Sequence, residues 1–279
     1  MNDMMLAKLR DFKLSGVVKT LETRLEEAIR RKLSYEEFIE LLLNDEFSNR
    51  LINSNRKRFQ KAKFPQTKSL EEFNFSYQPT INRQMIYGLG TCEFIRKKEN
   101  IAFIGPPGTG KTHLTVALGV KAVQQGYKVL FTTVNEMLED LYISRADNSF
   151  YQKLKKYTVP DLLILDELGL RKLNQNSVDD FYEIISKRYE NRSIIITSNK
   201  AFDEWGQILY DPVLATAILD RFVHHCHFIV IKGESYRMKE RRGTVKSEGN
   251  EAARRGRPPK LAIQEKTEEQ VEHNFQTGE

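Results

Sequence analysis

The segment Gly105–Thr112 constrains what this chain can fold into more than any other part of its sequence. It reads GPPGTGKT and matches the pattern G-x-x-x-x-G-K-[ST], a loop whose backbone N–H groups surround nucleotide phosphates. The glycines permit a tight turn, and the N-terminus of the helix that follows adds a site for an anion. Lys111 offers a positive charge to the outer phosphates, and Thr112 offers a hydroxyl to Mg²⁺.

The residues on both sides of this loop have the pattern that the motif needs. Residues 101–104 are a short apolar run, typical of a buried parallel strand, and residues 113–123 carry apolar side chains at helical spacing. A glycine-rich surface turn would need neither flank, so we interpret the segment as a nucleotide-binding loop. The residues predicted to bind the nucleotide are Gly105, Pro106, Pro107, Gly108, Thr109, Gly110, Lys111, Thr112 and His113.

Length and composition limit the other possibilities. With 279 residues the chain can form one large core and a smaller domain. Its net charge of +6 is small, so the distribution of charge matters more than the total. The two cysteines, Cys92 and Cys226, are far apart in sequence, so they indicate neither a metal site nor a set of disulfides. Because no apolar run matches a membrane span and residues 1–10 lack a signal-like stretch, we expect a cytoplasmic protein that does not bind membranes.

Residues 1–64 are predicted to be a small helical domain that ends in a basic segment. Residues 5–48 carry apolar side chains at helical spacing, and Ser34–Glu37 is an S-x-x-E capping box that begins the second helix. We expect the apolar faces of these helices to form a core rather than a groove for a partner.

Residues 50–63 are predicted to be a basic hinge that contacts DNA. The segment contains no acidic residue, and Phe59 and Phe64 are interspersed with its cations. Such a run can follow a phosphate backbone while the rings pack or stack, although a solvated helix face is the alternative. The cations are Arg50, Arg56, Lys57, Arg58, Lys61 and Lys63.

Residues 65–240 are predicted to be an α/β domain. After a connector and a helix near residues 81–98, apolar strands alternate with helices, which predicts a parallel sheet with helices on both faces. The helical segment 135–157 is long for a simple crossover. We expect residues 241–279, which are rich in charged residues, Gly and Pro, to be disordered. The predicted strands are residues 101–104, 128–134, 161–166, 193–198 and 228–231.

Asp166 and Glu167 follow the apolar run of the third predicted strand. A parallel strand presents its carboxyl end to the ligand crevice, so Asp166 can hold Mg²⁺, and Glu167 can orient and deprotonate an attacking water. An acidic pair alone is weak support for a catalytic role, since many strands end in polar turns. Here the pair is stronger evidence for a catalytic site, because it ends a buried strand downstream of a phosphate loop. Asn199 ends the next strand, where it can position the water.

Two arginines and a histidine cluster lie near the last predicted strand. Arg221 can stabilise transition-state charge in a neighbouring subunit, and Arg237 offers a second such group; either alone could be an ordinary surface arginine. The segment His224–His227 contains three histidines and a cysteine, but adjacent ligands fit no common structural zinc spacing. We therefore expect no metal there.

These motifs together resemble the AAA+ ATPases, and within them the IstB/DnaC group of bacterial ATPases. The similarity is closest to the IstB-like helper ATPases of insertion-sequence transposition and covers about residues 5–240. The phosphate loop is shared by a huge superfamily, whereas the N-terminal block and the Glu-Ser-Tyr-Arg end are more specific. The segments that carry the resemblance are Leu14–Val17, Leu33–Phe38, Gly105–Thr112, Phe131–Thr133, Leu162–Glu167, Ile195–Asn199, Trp205–Gly206, Asp211–Val213, Ile218–Arg221 and Gly233–Arg237.

The resemblance implies an AAA+ core and roles for single residues. Many AAA+ proteins carry a separate helical lid domain after the last strand, and none is predicted here. This departure from the family pattern weakens the assignment of Arg237 as the second sensor. The implied roles are ATP–Mg binding for Lys111 and Thr112, the Walker B pair for Asp166 and Glu167, the first sensor for Asn199, an arginine finger acting in trans for Arg221, and the second sensor for Arg237.

The resemblance also implies a function and partners. The chain would bind and hydrolyse ATP with Mg²⁺ and assemble, through residues 135–157, as a homo-oligomer on duplex DNA with little sequence preference. It would then recruit or activate an IstA-type transposase. Two alternatives stay open: a DnaC-like replicative helicase loader, and a transcriptional or structural DNA binder that uses ATP only to hold an assembly together. The N-terminal block favours transposition.

The tail contains a segment, Arg254–Lys260, that resembles an AT-hook. Gly256 would fit against the floor of a narrow minor groove, the two prolines keep the chain extended, and Arg255 and Arg257 would enter the groove. A basic extension that only improves solubility is the equally weighted alternative.

Overall fold

Five short apolar runs form one parallel sheet in the computed structural model of the chain, which describes residues 3–238. The strand order is β2-β3-β4-β1-β5, and every neighbouring pair is parallel. This arrangement confirms the predicted α/β class and brings the carboxyl ends of β1, β3 and β4 together at one edge. The strands are β1 (Asn100–Ile104), β2 (Val129–Thr133), β3 (Leu162–Leu168), β4 (Ser193–Ser198) and β5 (Cys226–Val230).

Alternation of side chains along the strands divides the core between the two faces of the sheet. In β1, Ile101 and Phe103 belong to one hydrophobic cluster, whereas Ala102 and Ile104 belong to the other. The first cluster is covered by α4 (Arg83–Leu89), α5 (Glu93–Arg96) and α6 (Lys111–Gln124). The second is covered by α7 (Val134–Ile143), α8 (Phe150–Thr158), α9 (Gln175–Arg188), α10 (Trp205–Ile208) and α11 (Pro212–Val223).

Two segments that the sequence predicts as single helices are each divided by a left-handed residue. Residues 135–157 form α7 and α8, separated by a turn in which Asn148 has φ of 57°. The helix predicted near residues 81–98 is instead α4 and α5, with Cys92 at φ of 60° between them. Apolar side chains at helical spacing occur on both sides of the first turn, but the polar run 144–149 (SRADNS) separates them, and the expectation of one helix overlooked it.

The basic segment is not a hinge but the last part of a long helix. The N-terminal region contains α1 (Asp3–Asp11), α2 (Ser15–Arg31) and α3 (Tyr35–Ala62). The capping box predicted at Ser34 is confirmed, because Glu37 N–H donates to the Ser34 hydroxyl at 3.2 Å and Ser34 N–H to the Glu37 carboxylate at 2.7 Å. No glycine or proline interrupts α3 until it ends at Lys63, whose φ is 57°.

The end of α3 is anchored on the α/β core. Ala62 is fully buried, and Phe59 and Phe64 pack edge to face with ring centroids 5.4 Å apart. A Cβ added at Gly119 of α6 would lie 2.7 Å from the Phe64 ring, so the small residue permits this close packing. The predicted N-terminal domain and the core are therefore joined by a continuous helix.

The apolar faces of the N-terminal helices are only partly a core, in contrast to our expectation. Phe38, Leu41 and Leu42 of α3 are half-buried, but a second apolar stripe on the same helix lies exposed. None of the helices described between residues 3 and 238 could cross a lipid bilayer. The exposed stripe, spaced four residues apart, consists of Tyr35, Ile39, Leu43, Phe47 and Leu51.

A buried carboxylate holds α2 against α3. Glu46 of α3 accepts hydrogen bonds from the backbone N–H groups of Gly16 at 2.6 Å and Val17 at 3.3 Å, which are unpaired donors of the first turn of α2. Arg24 and Asp45 add a two-point ion pair at 2.8 Å, and this hydrogen bonding lowers the pKa of Asp45 to about 2. The helices approach so closely that residue 16 has no space for a side chain.

We predict that Gly16→Ala destabilises the protein by about 1–3 kcal/mol, the usual cost of overpacking. The new Cβ would lie 2.7 Å from the Cα of Glu46 and would separate the carboxylate from the start of α2. Urea denaturation measures the change. Gly88→Ala in α4 is the matched control, since a Cβ there meets no atom within 4 Å and alanine favours the helix. Equal stability of the two variants would contradict the prediction.

Candidate nucleotide-binding site

The glycine-rich loop lies at the carboxyl edge of the sheet, where β1 ends and α6 begins. Gly105 N–H donates to the carbonyl of Ser198, the last residue of β4, at 3.1 Å. Within the loop, the Thr109 hydroxyl donates to the Pro106 carbonyl at 2.9 Å. The strand–loop–helix arrangement predicted from the sequence is thus present, with the loop fixed to the neighbouring strand.

Lys111 opens α6, and its side chain folds back over the loop. Its ammonium group donates to the carbonyl oxygens of Gly105 at 2.7 Å and Pro106 at 2.8 Å, and the residue is buried. The same group can donate to phosphate oxygens, which are stronger acceptors than carbonyls because they carry charge. The geometry therefore suits the role predicted for Lys111.

A segment distant in sequence packs against the middle of the loop. Tyr236 N–H donates to the Gly108 carbonyl at 2.9 Å, and the rings of Tyr236 and Tyr77 meet edge to face at 5.3 Å. Gly108 has φ of 77°, and a Cβ there would overlap the Ser235 hydroxyl. The segment Gly233–Arg237 was expected to supply a second arginine and to carry part of the family resemblance, and its contact with the loop was not predicted. The sequence signal that could have indicated this contact is the pair Ser235-Tyr236, directly before Arg237.

The carboxylate of Asp166 connects the loop with two strands. Asp166 ends the regular part of β3 and is buried, and the Thr112 hydroxyl donates to its oxygens at 2.9 and 3.2 Å. The hydroxyl of Thr197 in β4 also donates to this carboxylate. Hydroxyl and carboxylate oxygens are hard ligands, so Thr112 and Asp166 together fit a Mg²⁺ ion. Thr197 was part of a quoted motif, but no role was predicted for it.

Glu167 points away from the sheet because the strand bulges at this residue. The register between β3 and β4 shifts between Leu165 and Leu168, and Glu167 has φ of 66°, unusual for a residue other than glycine. Its backbone N–H donates to the Thr197 hydroxyl at 2.9 Å, while its side chain is exposed. Such bulges redirect a side chain, here toward solvent at the edge that holds the loop.

Asn199 and His113 have different relations to this edge. Asn199 is exposed directly after β4, which lies between β3 and β1 in the sheet, so it lies between the acids and the loop in strand order. The His113 side chain instead contacts the carbonyl of Ser69 at 2.8 Å and the edge of Phe73. Burial lowers the pKa of His113, which keeps the ring neutral at pH 7 and able to donate to that carbonyl.

The comparisons with known proteins agree with this geometry. The family model of IstB-like ATP binding proteins matches residues 7–244. The chain belongs to this family. A relative from Pseudomonas aeruginosa, named as an ATP-binding protein of insertion sequence IS21, is 41% identical over 240 residues, which are 86% of this chain and 89% of the relative. A relative from Geobacillus stearothermophilus, named for insertion sequence IS5376, is 42% identical over 78% of this chain and 86% of its own length.

Solved structures share the fold of this IstB-like chain. The crystal structure of DnaI aligns with a TM-score of 0.51 at 23% identity, covering 60% of this chain and 89% of DnaI. AMPPCP-bound DnaA from Aquifex aeolicus aligns with a TM-score of 0.50 at 21% identity, covering 66% of this chain and 56% of DnaA. At these identities the matches concern the fold of the core alone.

Arg221 does not lie beside the loop of its own chain. Arg221 lies in the last turn of α11, where the next residue, Phe222, accepts a hydrogen bond from Asn100 at the amino end of β1. That position is about 13 Å, the length of β1, from the edge that holds the loop. The Arg221 guanidinium donates to the Ala217 carbonyl at 3.0 Å and covers the Tyr182 ring. Arg237 follows Tyr236, the last residue of the compact unit, and its role stays a prediction.

The predicted DNA-binding residues between positions 50 and 63 divide into three groups. Arg50 is paired with Glu46 at 2.7 Å, whereas Arg56 and Lys57 are exposed on α3. A third group lines a cleft and consists of Arg58, Lys61 and Lys63. Arg255 and Arg257 lie outside the residues that the structure describes.

The histidine cluster is divided by the fold. His227 pairs with Glu99 at 2.8 Å, and burial raises the pKa of Cys226 to about 12. His224 and His225 instead lie near Glu190, and all three are exposed. The His224 ring also contacts the Tyr189 hydroxyl at 2.9 Å. This grouping involves a residue distant in sequence, so spacing within the cluster could not have revealed it.

We predict that Thr197→Val destabilises the protein by about 2 kcal/mol, because it removes a hydrogen bond to a buried carboxylate. The substitution keeps the shape of the side chain but also leaves the Glu167 N–H without its acceptor. Thermal unfolding of the full chain measures the loss. Thr197→Ser is the matched control, because it retains the hydroxyl. A Val variant as stable as the Ser variant would show that the hydroxyl does not matter.

Proposed function

We propose that this chain is an ATP-hydrolysing, DNA-binding helper protein of insertion-sequence transposition. In this proposal it assembles as an ATP-dependent homo-oligomer on duplex DNA and recruits or activates an IstA-type transposase. The ATPase part of the proposal is supported by the hydrogen bonds that Thr112 and Thr197 donate to Asp166 beside the loop. The exposed side chain of Glu167 follows directly in sequence. The transposition part is supported by the names of relatives that are 41–42% identical.

Each residue of the site has a task in binding ATP. The loop N–H groups and Lys111 would hold the phosphates, while Thr112 and Asp166 would hold Mg²⁺. A bound Mg²⁺ supplies charge stabilisation to the phosphates during transfer. Thr197 keeps the Asp166 carboxylate fixed through its hydrogen bond, so that the ligand oxygens need not reorganise.

Glu167 is the proposed general base. Its carboxylate is exposed at the edge of the sheet, next to the buried Asp166, and can orient and deprotonate a water attacking the outer phosphate. Asn199, one strand nearer to the loop, can hold the same water or the outer phosphate. The two residues are attached to neighbouring strands whose ends are joined by Thr197, which fixes their relative positions.

No observation favours the alternatives that the sequence leaves open. A helicase loader and a DNA binder that uses ATP only for assembly would share the fold seen in DnaI, but that likeness is at 23% identity and concerns the fold alone. A purely assembling protein would also have no need of a base at Glu167. Measurement of ATP hydrolysis and identification of the protein partner would therefore distinguish the alternatives.

We predict that Lys111→Ala abolishes ATP binding, whereas Glu167→Gln keeps binding and slows hydrolysis by about 100-fold or more, the usual contribution of a general base. The alanine removes the ammonium group that folds over the loop, while glutamine keeps the shape of Glu167 but cannot accept the proton. A fluorescent ATP analogue measures binding, and phosphate release measures turnover. Wild-type turnover by the Glu167→Gln variant would contradict the assignment of the base.

We predict that Arg221 acts on the nucleotide of a neighbouring subunit. Its position at the amino edge of the sheet separates it from its own loop, so a role in hydrolysis requires another chain. Arg221→Ala should bind ATP but hydrolyse it poorly, and mixing it with Lys111→Ala should restore part of the activity. The mixture contains interfaces with an intact loop on one side and an intact arginine on the other. Co-assembly without any recovery would contradict action in trans.

A further inference from the structure

A cleft at the amino edge of the sheet is lined by cations from three distant parts of the chain. It has a volume of about 360 Å³ and lies between the end of α3, the start of β2 and the end of α8. Val129, Leu130, Val159 and Pro160 supply an apolar lining. The cations are Arg58, Lys61, Lys63, Lys128 and Lys156.

Most of these charges are not neutralised within the described residues 3–238. Lys156 pairs with Asp140 at 2.6 Å, but the ion pairs found in this range include none of the other four cations. Among the residues that the structure describes, Arg58 donates only to the neutral amide of Asn55, at 3.1 Å. The nearby Asp161 is paired with Arg192. Like charges collected around a concave surface favour a polyanionic ligand.

Helix ends do not account for the cluster. The partial negative charge at a helix C-terminus, about half an electron, attracts cations, and α3 ends beside the cleft. The end of α8 is already capped by the buried Arg188, which donates to the carbonyls of Tyr157 at 2.8 Å and Pro160 at 3.0 Å. Even if the whole charge of Asp140, which Lys153 shares, is added to one helix end, they offset about 1.5 of the five charges, and about 3.5 remain.

We propose that this cleft binds the sugar–phosphate backbone of duplex DNA. Lys61, Lys63 and Lys128 at the exposed rim contact phosphates, and the apolar lining contacts deoxyribose. The inference rests on the proposed function and locates its DNA site. It also adds Lys128 and Lys156, which lie outside the predicted basic segment, and it assigns Arg50 to the α2–α3 contact instead.

The position of the cleft allows DNA and nucleotide to bind at the same time. Lys128 precedes the amino end of β2, whereas the loop follows the carboxyl end of β1, so the two sites lie at opposite edges of one sheet. The wall formed by residues 157–160 is fixed by the hydrogen bonds of Arg188, and the opposite wall by the packing of Ala62. The cleft is therefore formed by well-packed elements rather than by a loop alone.

The test is the salt dependence of binding between the full chain, with a non-hydrolysable ATP analogue, and a labelled duplex. Each phosphate contact contributes about 0.9 to the slope of log K against log salt. The double variant Lys61→Ala with Lys128→Ala should lower the slope by about 1.8, for two contacts. Lys61→Arg with Lys128→Arg should keep it, because the charges remain.

The matched control is Lys8→Ala with Arg30→Ala, which removes two exposed charges from α1 and α2. Its slope should equal that of the wild type. An unchanged slope in the cleft variant, or an equal decrease in the control, would overturn the assignment of the cleft while leaving the proposed function intact. A wild-type chain that binds no duplex would instead refute the DNA-binding function. Loss of inorganic phosphate binding in the cleft variant, with its duplex slope unchanged, would overturn the proposal in favour of a small-anion site.

Discussion

The buried carboxylate of Asp166 is the constraint on which the nucleotide site depends. Its oxygens accept hydrogen bonds from Thr112 at the start of α6 and from Thr197 in β4, so one charge connects a helix and two strands. Burying a carboxylate is costly unless it is hydrogen-bonded, and two hydroxyl donors reduce but do not remove that cost. A divalent cation held at the same oxygens would offset the remaining charge. In the proposed function, Mg²⁺ at these oxygens would therefore stabilise the site as well as serve the chemistry.

The Thr197 hydroxyl extends this constraint to Glu167, the proposed general base. It donates to Asp166 and accepts from the N–H of Glu167, which places the two acids in different environments although they are adjacent in sequence. Asp166 stays buried, and the bulge directs Glu167 outward. The positive φ of Glu167 is a strained conformation, retained because the surrounding hydrogen bonds and sheet pairing hold it. In the proposed function, the two carboxylates would therefore have the two different tasks that phosphate transfer requires.

The long helix α3 gives the molecule a second organising element. Its first half packs on α2 through Glu46 and Gly16, and its end is buried on α6 through Ala62. The cations beyond Phe59 are thereby fixed against β2 and α8, at the edge opposite to the nucleotide loop. In the proposed function, nucleotide and DNA would contact the two ends of the same parallel strands, and oligomer assembly would connect these ends between neighbouring subunits.

The sequence by itself determined the elements whose signals are local. The loop Gly105–Thr112, the strand positions, the capping box at Ser34 and the α/β class all follow from motifs or periodicity within short windows. It predicted a hinge at residues 50–63, because charge does not reveal where a helix continues, and a single helix over residues 135–157, because the polar run 144–149 was overlooked. Only the tertiary structure decided the hydrogen bonds of Thr197, the contact of Tyr236 with the loop, the edge on which Arg221 lies, and the cleft around Lys128. These depend on the order β2-β3-β4-β1-β5, which brings together residues far apart in the chain and has no counterpart in local periodicity.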